Sequence, residues 1–217
     1  MKFKRNQVEE AISAVLEPRA NLPSPELRIR LKRLLDADRI KGRQPRSSNP
    51  ESANYAFYSA APPGRGVEVQ FSSYETFAIL TGLQILAHGW PQGLVVTILR
   101  GARPELEKQH ARILLLDEKE LFDEAAIRAK ARPGDFAFDN TAPVLLTIVS
   151  KVGAATASEG ELLAYSVCDG VPDAMKWLVK TAGPKHGPFT MFELVSLAHA
   201  LAKALARIEP RPRGRSN

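Results

Sequence analysis

The stretch from Ser24 to Asp38 constrains the fold of this chain more than any other stretch. It opens with Ser24 and Pro25, which is typical of a helix start, because the serine caps the helix and the proline fits its first position. The apolar side chains that follow recur at the spacing of one helical face: Leu27, Leu31, Leu34 and Leu35. We therefore predict a helix from Pro25 to about Asp38 that buries its leucine stripe.

The opposite side of this helix is basic. Its cations are Arg28, Lys32 and Arg33, with Arg30 at the border of this side. A helix that packs on one side and offers several cations on the other can dock on DNA phosphates or lie in a major groove. An ordinary solvent-exposed helix gives the same pattern, so this alternative stays open.

The net charge of the chain lies in its first third. Residues 1–66 contain thirteen Lys and Arg against seven Asp and Glu, whereas residues 67–217 contain seventeen of each, so the whole net charge of +6 falls in the first segment. Such a concentrated field attracts polyanions by releasing their counterions, and nucleic acid is the commonest of them. A basic surface that only keeps the protein in solution is the alternative. Three cations of the polar loop at 40–54 are expected to contact phosphates: Lys41, Arg43 and Arg46.

Helices and a hairpin are predicted around the basic helix. A shorter amphipathic helix precedes it at about 6–16. Two short strands at 55–59 and 67–71 are expected to form a hairpin with Arg65 at its tip, where an arginine can reach a minor groove or a phosphate. Ser72 with Glu75, three residues on, is typical of a capping box that starts the next helix.

Pro104 is expected to divide the helical stretch after that. A helix that begins after Pro91 should end at Arg103, and a further helix should run from Pro104 to about Leu115. The reason is that a proline inside a helix removes a hydrogen bond and clashes with the preceding turn.

The order helix, turn, basic helix, hairpin and two further helices is that of a winged helix-turn-helix module. Within it, residues 69–91 resemble the later half of a MerR-type DNA-binding domain, in which a wing strand ending in an aromatic residue and a serine leads into a helix. Phe71 and Ser72 match the end of that wing. The resemblance covers about residues 55–100 and implies a DNA-binding domain over residues 1–115. The core of the helix after the wing is matched by Leu80, Leu83 and Leu86.

A second, small α+β domain is predicted at 141–208, after a charged linker at 116–140. Its elements are expected to be a strand at 142–150, a strand at 161–168, a helix at 172–181 and a helix at 190–208. We expect this domain to serve dimerisation or effector sensing. Residues 209–217 are predicted to be a disordered basic tail. The expected core of the second domain is Val144, Leu146, Ile148, Leu163 and Tyr165.

Several classes of protein are disfavoured. No run of eighteen apolar residues is present, so no membrane segment is expected, and no apolar stretch follows the basic first residues, so no secretory signal is expected. The single cysteine, Cys168, fits a reducing cytoplasm. The four histidines lack metal-ligand spacing and no phosphate-binding loop is present. We therefore predict no enzyme, no metal and no cofactor.

We predict a mostly helical α+β protein with an N-terminal winged helix-turn-helix-like domain and a small α+β C-terminal domain. It is expected to be a bacterial, cytoplasmic transcriptional regulator that binds double-stranded DNA as a homodimer, with no effector identified. The alternatives are a non-catalytic adaptor whose basic helix docks an acidic partner, and an RNA-binding protein that stacks bases on Tyr55, Phe57, Tyr58 and Phe71. The expected DNA-contacting residues are Arg28, Arg30, Lys32, Arg33, Lys41, Arg43, Arg46 and Arg65.

Overall fold

The structure is a computed structural model that describes residues 1–62, 67–130, 138–151, 162–182 and 186–209. This described part contains nine helices and five strands, so the predicted mostly helical α+β class is confirmed. Along the chain they are β1 (Lys2–Lys4), α1 (Arg5–Leu16), α2 (Pro25–Lys41), α3 (Pro50–Ala53), β2 (Gln70–Ser72), α4 (Ser73–Ala87), α5 (Gln92–Ile113), α6 (Glu118–Leu121), α7 (Glu124–Lys130), β3 (Val144–Lys151), β4 (Leu162–Asp169), α8 (Val171–Ala182), β5 (His186–Glu193) and α9 (Val195–Arg207).

The first, second and fourth helices begin where the sequence predicts. Ser24 caps α2 by accepting a hydrogen bond on its hydroxyl from the backbone N–H of Leu27 at 3.1 Å. Ser72 and Glu75 form the predicted capping box at the start of α4, and Gly89 beyond its end has a positive φ of 87°. All four leucines of the predicted stripe on α2 are buried: Leu27, Leu31, Leu34 and Leu35.

The predicted hairpin at 55–59 and 67–71 is wrong. The strand β2 pairs instead with β1 in antiparallel register, and Phe71 lies opposite Phe3. A three-residue strand that is mostly charged, such as Lys2–Lys4, carries almost no local signal. The expected hairpin tip at Arg65 lies outside the described residues.

Buried side chains form hydrogen bonds with the backbone groups of the segment that was predicted as the first strand of that hairpin. The backbone N–H of Phe57 donates to the carboxylate of Asp38 at 3.0 Å. The guanidinium of Arg103 donates to the carbonyl oxygens of Tyr55 and Tyr58 at 2.7 and 2.6 Å. Because buried backbone groups need partners, these side chains replace a strand ladder, and the segment crosses the core in an irregular conformation.

The predicted break at Pro104 is also wrong, since α5 continues through this proline from Gln92 to Ile113. Both halves of α5 have buried apolar side chains, including Leu99 before the proline and Leu106 after it. An interior proline costs roughly 3 kcal/mol, which is comparable to the burial of one or two such leucines. Tertiary packing on both sides of Pro104 therefore keeps the helix in one piece.

The C-terminal sheet has the strand order β4-β3-β5 and is antiparallel throughout. Both predicted strands are confirmed as β3 and β4, and the predicted helix at 172–181 as α8. The helix predicted at 190–208 is confirmed over Val195–Arg207, but its predicted start is wrong, because residues 190–193 belong to β5, where Met191 lies opposite Thr147 of β3. The carboxylate of Glu193 then accepts hydrogen bonds from the N–H groups of Val195 and Ser196, which starts α9.

One hydrophobic cluster takes side chains from both ends of the chain, for example Ile12, Leu99, Leu146 and Leu201. The predicted core residues Val144, Leu146 and Ile148 are fully buried and Tyr165 packs against them half-buried, whereas the side chain of Leu163 lies outside the described part. The segment predicted as a linker contains α6 and α7, and Leu121 in it is buried. The domain boundary itself stays a prediction. None of the helices in the described part is both long and apolar enough to span a lipid bilayer.

Candidate nucleic-acid interface

The N-terminal end of α2 is fixed by hydrogen bonds to the end of α1. The carboxylate of Glu17, just past α1, accepts hydrogen bonds from the hydroxyl and the backbone N–H of Ser24 at 2.6 and 3.1 Å. The hydrogen bonds from Ser24 hold the pKa of Glu17 below its usual range. Ser24 in turn caps the helix, so the turn between α1 and α2 sets where the first residues of α2 lie.

All four cations predicted to contact DNA from this helix are exposed: Arg28, Arg30, Lys32 and Arg33. We call these four residues the basic face of α2. Arg28 lies 3.6 Å from the carboxylate of Glu9 on α1, and Arg30 is paired with Glu26 one turn earlier. Lys32 and Arg33 make no ion pair with another described residue.

The predicted loop cations are exposed as well, but they are held in different ways. The ammonium of Lys41 donates a hydrogen bond to the hydroxyl of Thr97 on α5 at 2.6 Å. The guanidinium of Arg43 lies 5.3 Å from the ring centroid of Tyr55, within the range of a cation–π contact. Arg46 is exposed and has no hydrogen bond or ion pair within the described part of the chain.

The C-terminal end of α2 is held by a residue that the sequence analysis missed. Arg100 of α5 is fully buried, and its guanidinium donates to the carboxylate of Asp38, to the carbonyl of Asp38 and to the carbonyl of Gly42, each at 2.6 Å. Helix ends leave carbonyl groups without partners, and Arg100 satisfies two of them. An arginine among Ile98, Leu99 and other apolar residues was the available signal, because charged residues are almost never buried unless paired.

A third fixed point lies between these two ends. The side-chain amide of Gln92, the first residue of α5, donates to the carbonyl of Arg33 at 3.1 Å. At the other end of α5, the guanidinium of Arg112 makes two hydrogen bonds to the carboxylate of Asp169 in β4, at 2.8 and 2.7 Å. The helix α5 therefore contacts the backbone of α2 at Arg33 through one terminus and the C-terminal sheet through the other.

The C-terminal sheet also reaches the basic loop directly. The hydroxyl of Tyr165 in β4 donates to the carboxylate of Glu51 in α3 at 2.7 Å, and α3 follows the segment that carries Arg43 and Arg46. Tyr165 passes over Gly101 so closely that a Cβ atom there would lie 1.7 Å from its hydroxyl oxygen. Only glycine leaves room for this crossing.

Acidic and apolar side chains lie among the cations of α2. Asp36 is paired with Arg39 at 3.2 Å, so the C-terminal half of the helix is closer to neutral than the first half. Two isoleucines are exposed on the same helix, Ile29 at 51% and Ile40 at 80%. The sequence analysis passed over both, although neither belongs to the leucine stripe.

No group of three His, Cys, Asp or Glu side chains that could hold a metal ion occurs among the residues that the structure describes. Comparison with known proteins finds no matching family model, no matching curated protein and no matching solved structure.

Proposed function

We propose that the protein is a cytoplasmic transcriptional regulator that binds double-stranded DNA through the basic face of α2. The observation that carries this proposal is that α2 has exposed cations on one side while its other side and both of its ends are fixed. A pre-positioned helix loses little conformational freedom on binding, so more of the phosphate attraction appears as affinity. Lys32 and Arg33, which have no ion pair with another described residue, are the strongest candidates for phosphate contacts.

The order of elements supports the same proposal. In a helix-turn-helix module one helix precedes the reading helix, and in the MerR-type domains that residues 69–91 resemble, a wing strand then leads into a helix and a second short helix. Here α1 precedes α2, and β2 ends in Phe71 and Ser72 before α4 and α5. This is the part of the chain that resembles a MerR-type domain, with the difference that the partner strand of β2 is β1.

The test is a titration of binding to a random-sequence duplex between about 50 and about 200 mM salt, because each phosphate contact contributes about 0.9 to the slope of log affinity against log salt. The double variant Lys32→Ala, Arg33→Ala is expected to lower that slope by about 2. The matched control is Lys176→Ala, Lys180→Ala, which removes the same charge from exposed positions of α8.

The control separates a docking surface from a general effect of net charge. The proposal requires that the α2 variant loses affinity and slope while the α8 variant keeps both. Undetectable duplex binding by the unmodified protein at low salt would overturn it. Equal losses in the two variants would also overturn it, because binding would then follow the overall charge.

The C-terminal part is proposed to serve dimerisation or effector sensing. The hydrogen bond from Tyr165 to Glu51 supports this role, because it joins β4 to the segment that follows the basic loop. A homodimer fits DNA sites with two-fold symmetry. Light scattering on the purified protein is expected to give twice the chain mass of 23.8 kDa, and a monomer at micromolar concentration would contradict this part of the proposal.

A further inference from the structure

The side of α2 opposite its buried leucines is not purely basic. Successive residues of a helix are rotated by 100°, so the positions about 180° around the helix from the leucines can be identified, and we call them the ridge of α2. The residues on this ridge are Ile29, Arg33, Asp36 and Ile40. The residue nearest the N-terminal end of the ridge is therefore an exposed isoleucine.

Ile29 lies between cations on both sides. Arg28 and Arg30 are its neighbours in sequence and project about 100° to either side of it around the helix axis. Arg33 follows one turn later on the same ridge. If α2 approaches a duplex with its cations toward the phosphates of the two strands, Ile29 is the side chain that faces the floor of the groove.

The chemistry of isoleucine fits only one feature of that floor. Its side chain cannot donate or accept a hydrogen bond, so it gains nothing from phosphates or from the polar edges of guanine, cytosine and adenine. Thymine differs because it carries a 5-methyl group in the major groove, and apolar side chains contact this methyl group in known modes of base readout. The N-terminal residues of a reading helix are also those that contact base edges.

We propose that Ile29 is a specificity-determining residue that packs on the 5-methyl group of a thymine in the major groove, while the flanking cations hold the phosphates. This inference rests on the proposed function, since it requires that α2 enters the major groove. The charges alone would bind DNA without regard to its sequence, and the contact of Ile29 with a thymine would add a sequence preference.

The experiment begins with a selection of duplexes from a random pool by the unmodified full-length protein. The recovered sequence is then synthesised with deoxyuridine in place of each thymine, one position at a time, which removes one methyl group and leaves every hydrogen-bonding group in place. At one position the affinity is expected to fall about fourfold, which corresponds to about 0.8 kcal/mol for one methyl group removed from water.

The variant Ile29→Ala is expected to bind the thymine duplex about as weakly as the unmodified protein binds the deoxyuridine duplex, and to make no distinction between them. The matched control is Ile40→Ala, which removes an even more exposed isoleucine from the other end of the same ridge and should keep the distinction. Both residues are exposed, so neither variant should affect folding, and circular dichroism checks this.

The outcomes separate this inference from the function on which it rests. Duplex binding with the expected salt dependence, but with no thymine position sensitive to the loss of its methyl group, overturns the inference and leaves the proposed function standing. Discrimination that persists in Ile29→Ala, or is lost in Ile40→Ala, overturns it as well. Absence of duplex binding at low salt overturns the proposed function itself.

Discussion

The Nε atom of Arg100 donates a hydrogen bond to the Oδ1 atom of Asp38 at 2.6 Å, across 62 positions of the chain and out of contact with solvent. The same guanidinium binds the carbonyl oxygens at the end of α2. A buried ion pair with this many hydrogen bonds fixes the distance between α2 and α5, because neither charge can be left unpaired without a large desolvation cost.

The first prediction is that Arg100→Met destabilises the protein by about 3–5 kcal/mol, since it leaves the Asp38 carboxylate buried and unpaired. Urea unfolding at neutral pH measures the free energy of unfolding. The control Arg128→Met breaks the exposed pair with Glu124 and is expected to leave the urea midpoint unchanged. A loss below about 1 kcal/mol in Arg100→Met would contradict the importance assigned to this pair.

The second prediction concerns pH. The ring of His110 is buried against Phe77, with ring centroids 4.7 Å apart, and burial lowers its pKa to about 4. In the unfolded chain the pKa is about 6.5, so the unfolded state takes up a proton first as the pH falls. The stabilisation from neutral His110 is therefore complete above about pH 6.5 and is lost as the pH falls toward 4.

Between pH 7 and pH 5 the unmodified protein is expected to lose about 2 kcal/mol more stability than His110→Gln, which cannot titrate. Urea midpoints at several pH values provide the comparison, and the other titrating groups cancel because both proteins carry them. Parallel pH profiles for the two proteins would mean that His110 takes up its proton at the same pH in the folded and unfolded states, which would contradict this prediction.

The third prediction is that alanine at position 101 destabilises the protein, although alanine in place of a helical glycine usually stabilises. Replacing a glycine in a helix by alanine normally stabilises by up to about 1 kcal/mol, but here the added Cβ would overlap the hydroxyl of Tyr165. Gly101→Ala is therefore expected to be destabilising. The double variant with Tyr165→Ala should lose less stability than the sum of the two single variants, and simple additivity would contradict the contact.

The fourth prediction tests the electrostatics of the basic face. Glu26→Gln removes the carboxylate that pairs with Arg30, and so reduces the negative charge near the surface to which we propose that DNA phosphates bind. We expect tighter binding to a random-sequence duplex and a steeper dependence on salt. Glu124→Gln, which changes an exposed acidic residue on α7, is the control and should leave both quantities unaltered. Weaker binding by Glu26→Gln would argue against α2 as the docking helix.

The elements that the sequence predicted correctly are those whose signals are local. The helix α2 has its cap at Ser24 and its stripe of leucines within one stretch of chain, and the capping box at Ser72 is similarly compact. The errors arose where the deciding partner lies far away. The segment around Phe57 is irregular because of Asp38 and Arg103, and β5 exists because it pairs with β3.

In the candidate site, too, the features with local sequence signals were predictable and those that depend on distant partners were not. Exposure of the four cations on α2 followed from their positions outside the leucine stripe, so the sequence was sufficient to predict it. The sequence around Arg100 signals that this arginine is buried, but the groups that Arg100 and Gln92 bind on α2 were not predictable, because these contacts span 58 to 62 positions. The exposure of Ile29 followed from the same helical spacing, since it lies opposite the leucine stripe, although the sequence analysis passed over it.

The continuity of α5 through Pro104 has a mechanical consequence. Its 22 residues form one rod of about 33 Å, and its ends are attached to the carbonyl of Arg33 and to the carboxylate of Asp169. A hinge at the proline would absorb any shift of the C-terminal sheet before it reached α2. A continuous helix instead carries such a shift along its whole length to the backbone of α2 at Arg33.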